Sequence, residues 1–315
     1  MGTNSISSNT NSISIGTNPI SSGTNSIATG FNSISSNSDS IAIGTSSTAS
    51  NTSAIAMGLS SMANAINAIA IGTSTIAQNN NAVGIGTTSN AYSTSAIAIG
   101  SNTATSCNFG IAIGDNAKSI NSSIFSAHAI AIGTQSQSTQ FSTVAIGNMA
   151  NAVAGSAIAI GNMTNAVAGS AIAMGTTANA SASLSIAMGS NSKSSGTSAI
   201  AIGFSANSYS QNSLAMGPNS ISKNTNSIAI GTSSISSGIN SVTIGTGANS
   251  ASSDAIAIGF NSTSVGLHAT SLGAFTIASN FDSIEFRLRS AFRSASESFA
   301  KLSFASFKAL LADSN

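Results

Sequence analysis

Large aliphatic residues alternate with alanine just before a glycine that recurs along the chain. Residues 41–44 and 158–161, for example, both read Ile-Ala-Ile-Gly. Successive side chains of a strand point to opposite faces, so the two isoleucines share one face and alanine lies on the other. The alternation predicts a short β-strand in every repeat, with isoleucine stacked on isoleucine. We expect the structural core to include Ile41, Ile43, Gly44, Ile158, Ile160, Gly161, Ile200, Ile202 and Gly203.

The glycine, here called the column glycine, keeps a fixed spacing. It recurs every 14 residues from Gly2 to Gly114 and again from Gly133 to Gly273. The gap between Gly114 and Gly133 is 19 residues, which indicates a five-residue insertion within 115–132. A period held in register over most of a chain indicates a repeat architecture.

The second half of each repeat carries small residues. Ser, Ala or Thr stands three and five residues after the column glycine, which predicts a second short strand with small inward side chains. Seven residues after it, Gly or Asn is frequent, as at Gly23, Asn51, Gly196 and Asn224, and predicts a turn with positive φ. Fourteen residues suffice for one coil of a parallel β-roll, or β-solenoid. The sequence therefore predicts an all-β solenoid of about twenty coils.

Composition narrows the function. Charged residues make up 5 % of the chain and the net charge is +1, so no basic surface for nucleic acid is expected. Polar residues interrupt every apolar run, which excludes a membrane-spanning helix. Carboxylates and histidines are sparse in the repeats, and His128 and His268 lie many coils apart. We therefore expect no catalytic, cofactor-binding or metal site, and no enzyme.

The repeat resembles the head repeat of trimeric autotransporter adhesins, the YadA-like head. Residues 226–231 (Asn-Ser-Ile-Ala-Ile-Gly) and 198–203 (Ser-Ala-Ile-Ala-Ile-Gly) carry the resemblance. It implies a left-handed parallel β-roll, a homotrimer, and attachment to a host surface protein, matrix or glycan. It also implies a cell-surface or extracellular location. The chain starts inside the array and shows neither a signal peptide nor an anchor of its own, so a virion or fibre component is the alternative location.

Two domains are predicted: head repeats over 1–280 and a C-terminal segment over 281–315. The segment has apolar residues at a helical spacing: Leu288, Phe292, Ala295, Phe299 and Leu302. Three interpretations stay open for this short amphipathic helix. It caps the last coil, forms a small bundle with partner chains, or lies on a membrane surface.

The insertion is the one break in the array and brings Ile124, Phe125 and His128. It is either a tolerated loop or a surface-contact loop that touches a receptor.

Three functions compete on these observations. The leading one is a non-enzymatic, adhesin-like head or fibre segment that attaches to host cells or matrix. The second is a passive structural fibre, such as a virion or phage spacer. The third is an ice-binding solenoid, since Thr often follows the column glycine, although Phe31 and Leu59 interrupt that column.

Overall fold

A computed structural model describes residues 2–120 and 128–286 of the 315-residue chain. The chain divides into two compact units, Met1–Asn212 and Ser213–Asn315. Both consist of short β-strands, three-residue strands alternating with two-residue strands, and the described residues contain no helix.

The first unit contains β1 to β29. Its three-residue strands are β2 (Ile13–Ile15), β4 (Ile27–Thr29), β6 (Ile41–Ile43), β8 (Ile55–Met57), β10 (Ile69–Ile71), β12 (Val83–Ile85), β14 (Ile97–Ile99), β16 (Ile111–Ile113), β18 (Ile130–Ile132), β20 (Val144–Ile146), β22 (Ile158–Ile160), β24 (Ile172–Met174), β26 (Ile186–Met188) and β28 (Ile200–Ile202). Its two-residue strands are β1 (Ile6–Ser7), β3 (Ile20–Ser21), β5 (Ile34–Ser35), β7 (Thr48–Ala49), β9 (Met62–Ala63), β11 (Ile76–Ala77), β13 (Asn90–Ala91), β15 (Ala104–Thr105), β17 (Lys118–Ser119), β19 (Gln137–Ser138), β21 (Asn151–Ala152), β23 (Asn165–Ala166), β25 (Asn179–Ala180), β27 (Lys193–Ser194) and β29 (Asn207–Ser208).

The second unit contains β30 to β40. Its three-residue strands are β30 (Leu214–Met216), β32 (Ile228–Ile230), β34 (Val242–Ile244), β36 (Ile256–Ile258), β38 (Thr270–Leu272) and β40 (Ile284–Phe286). Its two-residue strands are β31 (Ile221–Ser222), β33 (Ile235–Ser236), β35 (Asn249–Ser250), β37 (Thr263–Ser264) and β39 (Ile277–Ala278).

Strands of one kind stack on each other, one coil apart. In the first unit Ile41 pairs with Ile55 and Ile158 with Ile172, both in parallel. In the second unit Ile228 pairs with Val242 in the same way. Each unit is therefore a parallel β-solenoid, and the two together hold about twenty coils, as the repeat predicts.

The interior of each coil holds only small side chains. The inward residues stand three, five, ten and twelve positions after the column glycine. In the coil that starts at Gly44 these are Ser47, Ala49, Ala54 and Ala56, all fully buried. Among the described residues the largest fully buried side chains are those of threonine, Pro19 and serine. The prediction of small inward residues on the two-residue strand is confirmed.

The large aliphatic residues lie on the outside, so the expected core was wrong. Ile43 is 38 % exposed, while its neighbour Ala42 is fully buried. Ile41, Ile158, Ile160, Ile200 and Ile202 are only half-buried. The reason is the size of the coil. Fourteen residues bring the two strands of one coil so close that alanine and serine fill the space between them, and isoleucine faces outward.

The column glycines turn the chain from the three-residue to the two-residue strand. Gly44 has φ +128° and Gly161 φ +136°, values that L side chains rarely adopt. A Cβ on Gly44 would lie 2.5 Å from the carbonyl oxygen of Gly58 in the next coil. Gly203 has φ 133° in the same turn. Glycine is thus required by conformation and by the close approach of the neighbouring coil. The column glycines named above as core lie in these half-buried turns.

The second turn differs from the prediction in its position. Its positive-φ residue stands nine residues after the column glycine, as at Asn25 (φ 56°) and Ser53 (φ 55°), and not seven. The asparagine at seven instead bonds to the next coil. Asn51 Nδ2 donates to the Asn64 carbonyl oxygen (3.4 Å), and Asn37 Nδ2 to that of Ser50 (2.5 Å). Asparagine recurs there because its amide satisfies a carbonyl at the turn.

The last described strand, β40, pairs with β38 and continues the coil pattern to Phe286, beyond the predicted boundary at 280. The helix predicted for the rest of 281–315 lies outside the described residues. So do Ile124 and Phe125 of the insertion.

Candidate interaction surfaces

The outward side chains of the three-residue strands form an apolar surface in each unit, here called the isoleucine face. Each coil contributes two residues, eleven and thirteen positions after the column glycine. Members at least about a third exposed include Ile43, Met57 and Ile71 in the first unit and Met216, Ile244 and Ile258 in the second, at 36–39 %. Because neighbouring strands pair in register, isoleucine stands beside isoleucine from coil to coil.

An apolar surface of this kind indicates association. Strands in a sheet lie about 4.8 Å apart, so two aliphatic side chains recur at that spacing within each unit. Monomeric soluble proteins rarely leave a continuous apolar patch larger than a few hundred Å² in water. Self-packing of this face would bury side chains that the coil itself leaves half-exposed.

Three titratable residues of the second unit meet on one edge, at the positive-φ turn position of successive coils. His268 Nδ1 lies 3.1 Å from Asp282 Oδ1, and His268 Nε2 lies 3.7 Å from Asp254 Oδ2. Asn240 Nδ2 extends the row by donating to Asp254 Oδ1 at 3.0 Å. The side chains of the histidine and both aspartates are 46–58 % exposed, so these ion pairs contribute little to stability.

Sequence reasoning missed this row because it treated His268 as isolated and Asp282 as part of the tail. The 14-residue spacing of 254, 268 and 282 was the signal that could have found it.

Other candidate residues lie apart from one another. Cys107 is buried inside its own coil, with Sγ 3.0 Å from Ser119 Oγ. His128, from the predicted surface-contact loop, stacks its exposed ring on Phe109 at 5.3 Å between centroids. Within 2–120 and 128–286, no group of three or more His, Cys, Asp or Glu residues could hold a metal ion.

The threonines that follow the column glycine lie in turns. Thr45, for example, is exposed and precedes the positive-φ residue Ser46. The threonine column thus runs along an edge of the coils and not on the surface of either sheet.

The comparison with protein families decides the class of the chain. The model of the YadA head domain repeat (2 copies) matches residues 1–18, 21–47, 49–75 and 77–103, and overlapping matches run from 166 to 276. These ranges cover more than half of the sequence. The chain belongs to the YadA head repeat family. It is thus a segment of the trimeric autotransporter adhesin type, a structural and adhesive class. No curated protein matches the chain in sequence.

Within the described ranges of this YadA head-type chain, no helix is long and apolar enough to cross a membrane.

Proposed function

We propose that the chain is a homotrimeric adhesive head segment that attaches to host cells or matrix. The observation that supports this proposal is the isoleucine face, repeated in every coil of both units. A coil whose interior is alanine and serine gains little from burying its own side chains, at roughly 25 cal/mol per Å² of apolar surface. Packing three isoleucine faces together supplies the larger apolar core that a single coil lacks.

Attachment follows from the surface that such a trimer keeps in contact with water. Its turns and two-residue strands carry mostly neutral polar side chains, with few charges. Single contacts to such a surface are weak. Repetition along each chain and across three chains converts weak contacts into avidity.

Two measurements test the proposal. Light scattering on the purified chain should give three times the mass of one chain, 30.7 kDa. Beads coated with the trimer should then adhere to cultured cells or to immobilised matrix proteins more than beads coated with an unrelated trimer. A monomeric mass would contradict the association, and a trimer that adheres to nothing would contradict the adhesive role.

The second candidate is a passive structural spacer. The uniformity of the coils favours it, because the same inward and outward pattern repeats with a single insertion. A stable trimer without adhesion, found as a component of assembled fibres or particles, would support this function over attachment.

A further inference from the structure

The outward face of the two-residue strands changes character along the first unit. Each of these strands presents one outward side chain, four positions after the column glycine. This position is mainly apolar near the N-terminus and polar in most later coils. The apolar examples are Ile6, Ile20, Ile34, Met62 and Ile76. The polar examples are Asn90, Lys118, Gln137, Asn151, Asn165, Asn179, Lys193 and Asn207. The polar stretch is called the amide column here.

An open depression of about 280 Å³ lies on the amide column. It is lined by Asn116, Gln135, Gln137, Met149, Asn151 and Asn165. Five of the six lining residues are primary amides and none is charged. The two strands that carry Gln137 and Asn151 pair in register, so these side chains project side by side.

The amides of the depression keep much of their hydrogen-bonding capacity. Asn151 Nδ2 donates to Asn165 Oδ1, and Asn165 Nδ2 to the Met163 carbonyl oxygen, both at the long distance of 3.4 Å. Within the described part of the chain, the side chains of Asn116, Gln135 and Gln137 take part in no hydrogen bond. Each primary amide offers two donors and a carbonyl acceptor.

We propose that this depression binds a neutral oligosaccharide. Sugar hydroxyls donate and accept at once, as amides do, so several amides can pair with one sugar without leaving a charge unpaired. Met149, 47 % exposed, offers an apolar contact to the carbon face of a sugar ring. An anionic ligand would require cations in the lining, and an extended apolar peptide would require an apolar groove.

The location of the depression agrees with this role. The two strands of a coil pack through their inward side chains, so the amide column points away from the isoleucine face. Self-association through that face would leave the depression in water. The depression also lies between 103 and 166, where the family ranges given above are interrupted. The inference rests on the proposed attachment function and names a ligand class for it.

The test measures binding of the full-length chain to soluble oligosaccharides by titration calorimetry. Maltohexaose and the hexamer of N-acetylglucosamine are the neutral probes, and a heparin-derived sulfated hexasaccharide is the anionic probe. The double variant Gln137→Ile/Asn151→Ile removes two amides and installs the residue that the same column carries at Ile34 and Ile76. The matched control Gln78→Ile removes an exposed amide outside the depression.

The wild-type chain should bind at least one neutral probe. The double variant should bind it about tenfold more weakly, and Gln78→Ile should bind it like the wild type. If the double variant does not fold, Gln137→Glu/Asn151→Asp replaces it, since it keeps the shape but removes the amide donors. Absence of neutral binding, binding of the sulfated probe alone, or unchanged binding by the variant would overturn the inference.

Cell adhesion of the same samples separates the two proposals. Adhesion that persists without any oligosaccharide binding, for example through a protein receptor, overturns only the glycan site. Oligosaccharide binding without adhesion contradicts only the attachment function.

Discussion

The two outward faces of the first unit obey different rules. Eleven positions after each column glycine, the three-residue strands carry Ile or Val in every coil from β2 to β28. Four positions after the same glycine, the two-residue strands carry Ile, Met, Thr, Ala, Lys, Gln or Asn. The backbone is the same on both sides, so strand geometry does not cause the difference. A position that is alike in every coil serves a need that every coil has, such as association, whereas a variable position is free for local tasks.

The largest effect is expected at the turn on which both faces depend. In Gly161→Ala, the new Cβ would lie 2.7 Å from the Gly175 carbonyl oxygen, at a φ of +136°. We expect a loss of about 2–4 kcal/mol in the free energy of unfolding, measured by urea denaturation.

Gly169→Ala is the matched control for that change. A Cβ at Gly169 meets no atom within 4 Å, so its unfolding midpoint should remain close to that of the wild type. Equal effects of the two substitutions would show that the column glycine has no special role.

The next effect separates the two faces directly. The double variant Ile158→Ser/Ile160→Ser removes one coil's contribution to the isoleucine face. Each isoleucine is worth about 1.5–3 kcal/mol if association buries it fully, so the trimer should dissociate at a protein concentration at least about a hundredfold higher. Light scattering over a dilution series measures this.

Asn179→Ser/Asn207→Ser, on the opposite face, is the control for that experiment and should leave the dilution profile unchanged. A trimer that is indifferent to the isoleucine variant but lost in the asparagine variant would reverse the assignment of the faces.

The sequence allowed the coil, its period and its parallel register to be predicted, because the spacing of the column glycine is visible without a structure. It did not allow the inside to be told from the outside. Alternation shows that Ile41 and Ala42 point in opposite directions, but not which of them is enclosed. That depends on the distance between the two strands of a coil, which is set by turns whose positive-φ residues, such as Ser46 and Ser53, have no distinctive identity. Larger size suggested isoleucine, whereas the narrow coil admits only alanine and serine.

The candidate surfaces were less predictable than the fold. The row of Asp254, His268 and Asp282 and the amides around Gln137 become neighbours only when residues 14 or 19 apart are placed side by side. A sequence aligned by coil shows both groups, and a linear scan shows neither.

A smaller effect is expected inside the second unit, in the interior that supports both faces. Ser222 Oγ donates to the Ser227 carbonyl oxygen (2.8 Å) and lies 2.5 Å from Ser227 Oγ. The equivalent residues of one coil in the first unit are Ala166 and Ala171, both fully buried. Ser222→Ala should lower the free energy of unfolding by about 1 kcal/mol in urea denaturation, because it removes this hydrogen bond.

Adding Ser227→Ala tests whether the two hydroxyls act as a pair. The double variant should cost less than the sum of the two single variants, because it leaves no hydroxyl without its partner. Strict additivity would mean that the hydroxyls act independently.

The smallest effect is expected where the variable face changes from apolar to amide. Ile76 is the last apolar residue of its column and pairs in register with Asn90. The Asn90 Oδ1 atom is buried and has no hydrogen-bond partner in the described structure. In Ile76→Asn, the new Nδ2 could donate to Asn90 Oδ1, as Asn151 donates to Asn165. The lost apolar burial and the gained hydrogen bond are each worth about 1 kcal/mol, so the free energy of unfolding should change by less than about 0.5 kcal/mol.

Ile76→Ala removes the same apolar side chain without supplying a donor, and it should cost about 1 kcal/mol in the same urea experiment. If Ile76→Asn is as costly as Ile76→Ala, the amide column does not form a hydrogen-bonded row. If Ile76→Asn also lowers the mass of the trimer, the variable face takes part in association. Both outcomes would erase the distinction between the two faces, whereas a neutral Ile76→Asn supports it, because the coil would then accept either kind of residue on this side.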